Sequence, residues 1–110
     1  MEQEDFFNKI FRVSSNGFFI NPERLFESTY VYLIINKTFK IIWIWIGNKA
    51  PLFHKYKAVK KAMRLISEIK YQGFTYDIIR EGHESKEFRI IMSSLKWNGT
   101  KNNKFNDLHT

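Results

Sequence analysis

Three histidines (His54, His83 and His109) and the carboxylates Glu81, Glu84 and Glu87 are the side chains that first invite a search for chemistry in this 110-residue chain. The histidines fall in three separate segments without HxxxH or HExxH spacing, so they read as surface histidines rather than metal ligands. The glutamates recur at the spacing of a helix start, where carboxylates are favoured by the unpaired N–H groups of the first turn. That account is preferred to general acid–base work. The chain has no cysteine, which excludes disulfides, thiol catalysis and cysteine-ligated zinc. Its five glycines are scattered singly, with no GxxxxGK[ST] or GxGxxG cradle for a phosphate. Ser14-Ser15 and Ser93-Ser94 lack a GxSxG elbow or an adjacent base. No enzyme is expected, and no cofactor is implied by these residues.

Trp43 and Trp45 have the composition of a base-stacking platform. They stand inside Ile41–Ile46, IIWIWI, and core packing explains them better. Charge is the stronger clue to partners. Eighteen Lys and Arg against 11 Asp and Glu give a formal charge of +7 and a pI near 9.7. That balance suits an acidic protein surface, anionic lipid headgroups or nucleic acid. It equally suits lysines that solvate a small, very apolar protein.

The elements that would position any site are legible in the pattern. Tyr30 to Gly47 holds two apolar runs, Tyr30–Ile35 and Phe39–Ile46, around a polar Asn36-Lys37-Thr38 turn. The second run barely alternates, so it reads as a central strand covered on both faces. Lys9–Ser14 and Gly17–Ile20 read as strands around a turn, with Leu25 and Phe26 as later anchors onto the core. Pro51 suits a helix start, and from Leu52 to about Lys70 the period becomes helical. Ala58, Val59, Ala62, Leu65, Ile66 and Ile69 share one side, with Leu52 and Met63 at its edge. Gln72-Gly73 ends that helix, Phe74–Arg80 is a further strand, and Glu84–Leu95 is a shorter helix with Phe88, Ile91, Met92 and Leu95 on one face. The expected fold is α+β: a central mixed sheet of about five strands between one long and one short helix. One domain over 1–97 and a polar tail over 98–110 are expected. Asn36, Lys37 and Lys40 interrupt the apolar hairpin too closely for a membrane span. The acidic MEQEDFFNKIF start does not resemble a signal peptide, so a cytoplasmic protein is expected.

Taken together, three segments resemble a gelsolin-homology domain, the repeat unit of gelsolin, villin and severin. The first is LFESTYVYLIINKTFKIIWIWIGNKA, Leu25–Ala50, which is similar to a family strand of the type DVFIL leading through a turn to IYVWIGK.A. The second is the long helix, with Ala58 and Ala62 at positions where the family carries small residues. The third is Ile78–Phe88, IIREGHESKEF, which is similar to a strand followed by [QE]-G-x-E-[SP]-x-x-F. The resemblance covers about Lys9 to Leu95 and implies the same layered fold. A second resemblance is to the gelsolin-like module of the COPII coat inner-layer subunits.

What the resemblance implies about function is actin binding, often under calcium control, with the long helix entering the cleft at the barbed end of an actin subunit. On this helix the outward face centres on Phe53, Lys60 and Arg64, flanked by Tyr56, Lys57 and Ser67. The implied binding residues are thus Phe53, Tyr56, Lys57, Lys60 and Arg64. Exposed aromatics ringed by cations have the composition of a protein-binding face; the same residues could instead cover the sheet edge. Lys60 and Lys61 depart from a family member that has apolar residues there. The family's calcium site takes a Gly-Asp pair and a helix Glu. By spacing these positions fall on Pro22, Glu23 and His54, and imidazole does not replace a bidentate carboxylate for a hard cation. Glu27 lies near enough to substitute after a small shift. The site reads as degenerate, with no metal expected. Actin or an actin homologue is the implied partner, met by a monomer or weakly self-associating domain that binds monomers or caps filament ends. Anionic lipids offer a second acidic surface, and nucleic acid is not indicated. The alternative is a non-actin adaptor for phosphoinositides, a small GTPase or a larger coat-like complex.

Overall fold

The computed structural model describes residues 8–96. The β-branched and aromatic runs form a hairpin, β3 (Val31–Asn36) and β4 (Ile41–Ile46), paired antiparallel from Val31↔Ile46 to Asn36↔Ile41. β1 (Asn8–Val13) pairs antiparallel with β3, and the two-residue β2 (Phe19–Ile20) flanks β1. After β4 the chain crosses the sheet through helix α1 (Leu52–Ile66) and a 3₁₀ turn (Ile69–Tyr71). It returns as β5 (Thr75–Arg80), parallel to β4. Helix α2 covers residues 86–96, and its start is capped by Ser85, whose Oγ accepts the Phe88 N–H at 3.1 Å. The five-stranded mixed sheet has the order β2-β1-β3-β4-β5.

The sheet separates two cores. On one face Leu33, Ile35, Ile42 and Ile44 meet Ala58, Ala62 and Leu65 of α1. On the other, Tyr32, Ile34, Trp43 and Trp45 meet Phe26 and the Phe88 and Leu95 side chains of α2. The tryptophans are therefore core residues on one face, as their i,i+2 spacing on a strand requires.

β4 is an interior strand covered on both faces, as expected, and β3, every residue of which is buried, takes the middle place beside it. Two boundaries differ from the sequence reading. The turn between β3 and β4 takes in Lys37 to Lys40, because Asn36 ends β3 and its Oδ1 accepts the Phe39 N–H at 2.7 Å. Lys40 adopts φ 54°, and Phe39 is exposed rather than part of the strand. Finally, α1 stops at Ile66, so Ile69 is exposed and Tyr71 takes the buried place expected of it. The change to a tighter 3₁₀ turn rotates the later side chains off the helical stripe. The expected tail at 98–110 lies outside the described residues.

Candidate functional site

Helix α1 is held close to the sheet by its smallest side chains. Ala58 and Ala62 are fully buried and Leu65 nearly so. At about 100° per residue, this leaves Phe53, Tyr56, Lys60 and Arg64 along the opposite side. All four are exposed, Phe53 by 53% and Tyr56 by 61%. Lys57 lies beside them with its Nζ 5.6 Å from the Phe53 ring centroid. The residues expected from the sequence thus form one stripe. Among the described residues, Lys57, Lys60 and Arg64 have no acidic partner. Lys61 leaves the stripe and turns to β2, its Nζ 5.7 Å from the Phe19 ring centroid.

The β1–β2 turn forms a wall at one side of this stripe. Gly17 has φ +85°, and a Cβ there would stand 2.7 Å from Lys57 Cε and 3.4 Å from the Phe53 ring. The positive φ is what calls for glycine here, since the Lys57 chain end is flexible enough to give way. Phe53 is therefore braced on one flank and open on the other. On the opposite shoulder of the helix, Leu52 and Met63 are 59% and 56% exposed. Sequence reading put both at the edge of the core stripe. Their wheel positions, on the Tyr56 side of Val59, carried the signal that they face out.

Behind the helix, polar side chains fix the loops at its N-terminal end. Glu81 accepts hydrogen bonds from the Ser28 hydroxyl at 2.7 Å and the Asn48 N–H at 2.8 Å. Gly47 lets these loops meet, because a Cβ there would collide with the Ser28 carbonyl. The Tyr32 hydroxyl donates to the Arg24 carbonyl and accepts the Glu27 N–H; burial pushes its pKa up. Glu84 accepts the Trp45 indole N–H at 2.8 Å. Burial opposes its ionisation, yet the bonds from Trp45 and from the Glu84 and Gly82 backbone outweigh this and hold its pKa low. Glu81 and Glu84 thus tie loops and strands together, and only their neighbour Glu87 lies within α2.

The fold recurs in solved structures. Thorarchaeota ProGel, crystallised in complex with rabbit actin, matches with a TM-score of 0.69 and 24% identity, covering 76% of this chain and 97% of ProGel. The chain has a gelsolin-like fold. Thorarchaeota 2DGel3, also crystallised in complex with rabbit actin, matches with a TM-score of 0.61 and 27% identity. That match covers 74% of this chain but only 43% of 2DGel3. No protein-family model matches the sequence, and neither does any curated protein.

Within this fold the calcium positions inferred from spacing fall at Pro22, Glu23 and His54. Glu23 is exposed, whereas His54 is buried in the first turns of α1, which corrects the surface placement expected of it. Among the described residues the His54 Nδ1 atom has no hydrogen-bond partner, and burial, aided by the Arg12 charge, lowers its pKa. Among the described residues no three His, Asp or Glu side chains gather to hold a metal. His83 is exposed on the turn after β5, beside a cavity of about 340 Å³ also lined by Trp43, Asp77 and Ser85. His109 lies outside the described residues.

Proposed function

We propose that this gelsolin-like domain binds actin or an actin homologue through the outer face of α1, binding monomers or capping filament ends in the cytoplasm. The observation that carries this reading is the pair of exposed aromatics, Phe53 and Tyr56, set among the cations Lys57, Lys60 and Arg64, which have no acidic partner among the described residues, on one helix. Aromatics desolvate well at an interface, while the cations steer the domain to an acidic surface. Two neighbours of the same fold crystallised with rabbit actin make actin the partner to test. The role is non-catalytic and uses no calcium at Glu23 and His54. Among the described residues no helix is long and apolar enough to cross a membrane.

Pyrene-actin assembly and co-sedimentation test the reading, with an actin homologue as a second substrate. Phe53→Ala with Tyr56→Ala should weaken binding by roughly thirtyfold, equivalent to the about 2 kcal/mol typical of a hot spot. Reversing Lys60 and Arg64 to Glu should weaken it further as salt is lowered, since exposed charges act over roughly 8–10 Å at physiological ionic strength. Single-filament imaging should show few breaks, because severing requires a second linked contact to raise the local concentration. Full activity of both variants would move the interface off α1. Binding to phosphoinositide vesicles but not to actin would transfer the face to the adaptor reading.

A further inference from the structure

The sheet has two unlike edges. β2 is two residues long and runs into Asn21-Pro22, a short strand and a proline that together blunt pairing. β5 is six residues long and free of proline, and among the described residues nothing pairs with its outer side. The Thr75 N–H donates to the Lys40 carbonyl at 3.1 Å and the Glu81 N–H to the Ile46 carbonyl at 2.9 Å. These two bonds set the phase of the parallel ladder: residues 75, 77, 79 and 81 turn their main chain toward β4. The main-chain groups of Tyr76, Ile78 and Arg80 therefore point outward.

The side chains of these same three residues lie on the α1 side of the sheet, because Tyr76 is registered with Ile42 and Ile78 with Ile44. Tyr76 and Ile78 are 39% and 40% exposed. The outward Ile78 N–H is taken up by the carboxylate of its neighbour Asp77, at 2.9 Å. The Arg80 carbonyl already accepts the His83 N–H at 2.9 Å and would be shared.

We propose that a second copy of this chain adds antiparallel to β5, about a two-fold axis at Ile78, to make one sheet continuous through both copies. In this register each Ile78 faces its own copy, and each Tyr76 faces the Arg80 of the other. All three outward-facing residues then meet in hydrogen-bonded pairs. The cross-strand side chains also agree: isoleucine packs on isoleucine, and a guanidinium lies against a phenol ring. Shifting the register one way sets Asp77 against Asp77; shifting it the other way sets Asp77 against Glu81. Like charges directly opposed disfavour both. The strand is thus complementary to itself in one alignment. Asp77 keeps the association weak, since its bond to the Ile78 N–H must break first.

Sedimentation equilibrium of the whole chain from micromolar to millimolar concentration tests this, alongside concentration-dependent amide exchange. A reversible monomer–dimer equilibrium is expected, with the Ile78 and Arg80 amides gaining protection as the dimer fills. Asp77→Ala frees the Ile78 N–H in both copies and should tighten the dimer by roughly tenfold, as befits one modest hydrogen bond per copy. Ile78→Lys opposes two charges on the axis and should leave a monomer, while Ile78→Pro should do so by removing a donor that the β4 ladder does not use. A wild type that stays monomeric overturns the proposal. So does an Ile78→Lys variant that folds and dimerises as the wild type does. Should both Ile78 variants fail to fold, the wild-type exchange decides: concentration-independent protection at Ile78 and Arg80 overturns the proposal.

Discussion

The two faces of the sheet are built on opposite principles. On the α1 side the contact is aliphatic and thin: Ala58 and Ala62 bring the helix close, and Leu33, Ile35, Ile42 and Ile44 meet it. On the α2 side the layer is thick with rings. Phe26 stands edge-on to Trp45 at 5.2 Å and to Phe88 at 6.1 Å, and Trp43 is edge-on to Phe88 at 5.1 Å. That aromatic layer also carries polar hooks, from Trp45 to Glu84 and from Tyr32 to the loop at Arg24 and Glu27. It holds Phe26 at φ 61°, a backbone conformation that a bulky side chain adopts only when its surroundings compensate. The contrast teaches a division of labour. The aromatic face fixes the loops, and the close aliphatic face leaves the far side of α1 free to meet a partner.

Removing a ring should break this contrast most severely. Trp45→Ala and Trp43→Ala should each cost about 3–5 kcal/mol in denaturant unfolding, because each empties a large volume from a tightly packed layer. Unchanged unfolding midpoints in both would refute the two-layer core. Next comes the thin side. Ala62→Leu should destabilise by about 1–3 kcal/mol through overpacking and lift α1 from the sheet. The measurement that separates the layers is near-UV circular dichroism, in which the tryptophan bands of the opposite face should persist.

Smaller effects come from pH. His54 and Glu84 both have folded pKa values below their ordinary values of 6.5 and 4.5. For each, the unfolded chain binds the proton more readily, so the stability contributed is complete above the ordinary value and is lost as pH falls through the folded one. Acid titration of stability should therefore bend first below about 6.5 and again below about 4.5. His54→Leu should remove the first bend and Glu84→Gln the second. A profile left unaltered by Glu84→Gln would show that the Trp45 hook contributes nothing.

The least effect on stability belongs to the outer face of α1. Reversing Lys60 and Arg64 should change the unfolding free energy by less than about 0.5 kcal/mol, as exposed sites away from the core generally do. Adding millimolar calcium should leave the melting temperature where it was; a rise abolished by Glu23→Ala would restore the metal site.

Much of this was legible in local pattern. The unbroken IIWIWI run required cover on both faces, and the i,i+2 spacing of Trp43 and Trp45 put them on one of them. The helical period around Ala58 and Ala62 announced the close face of α1, and with it the outward places of Phe53, Tyr56, Lys60 and Arg64. Period and side-chain size are local properties, and the chain carries them wherever it folds. Tertiary structure decided what depended on distant partners. It set β3 at the centre, because strand order is chosen by pairing between segments far apart in sequence. It ended α1 at Ile66 and buried Tyr71 in place of Ile69, because docking onto the sheet outweighed a continuing helical pattern. It buried His54, whose type signals a surface but whose position in the first turns faces the core. It made Glu81 and Glu84 into ties to Ser28, Asn48 and Trp45, contacts that no spacing along the chain contains. Above all, among the described residues it left one long edge of the sheet open at β5, since an edge exists only once every other strand has found its neighbour.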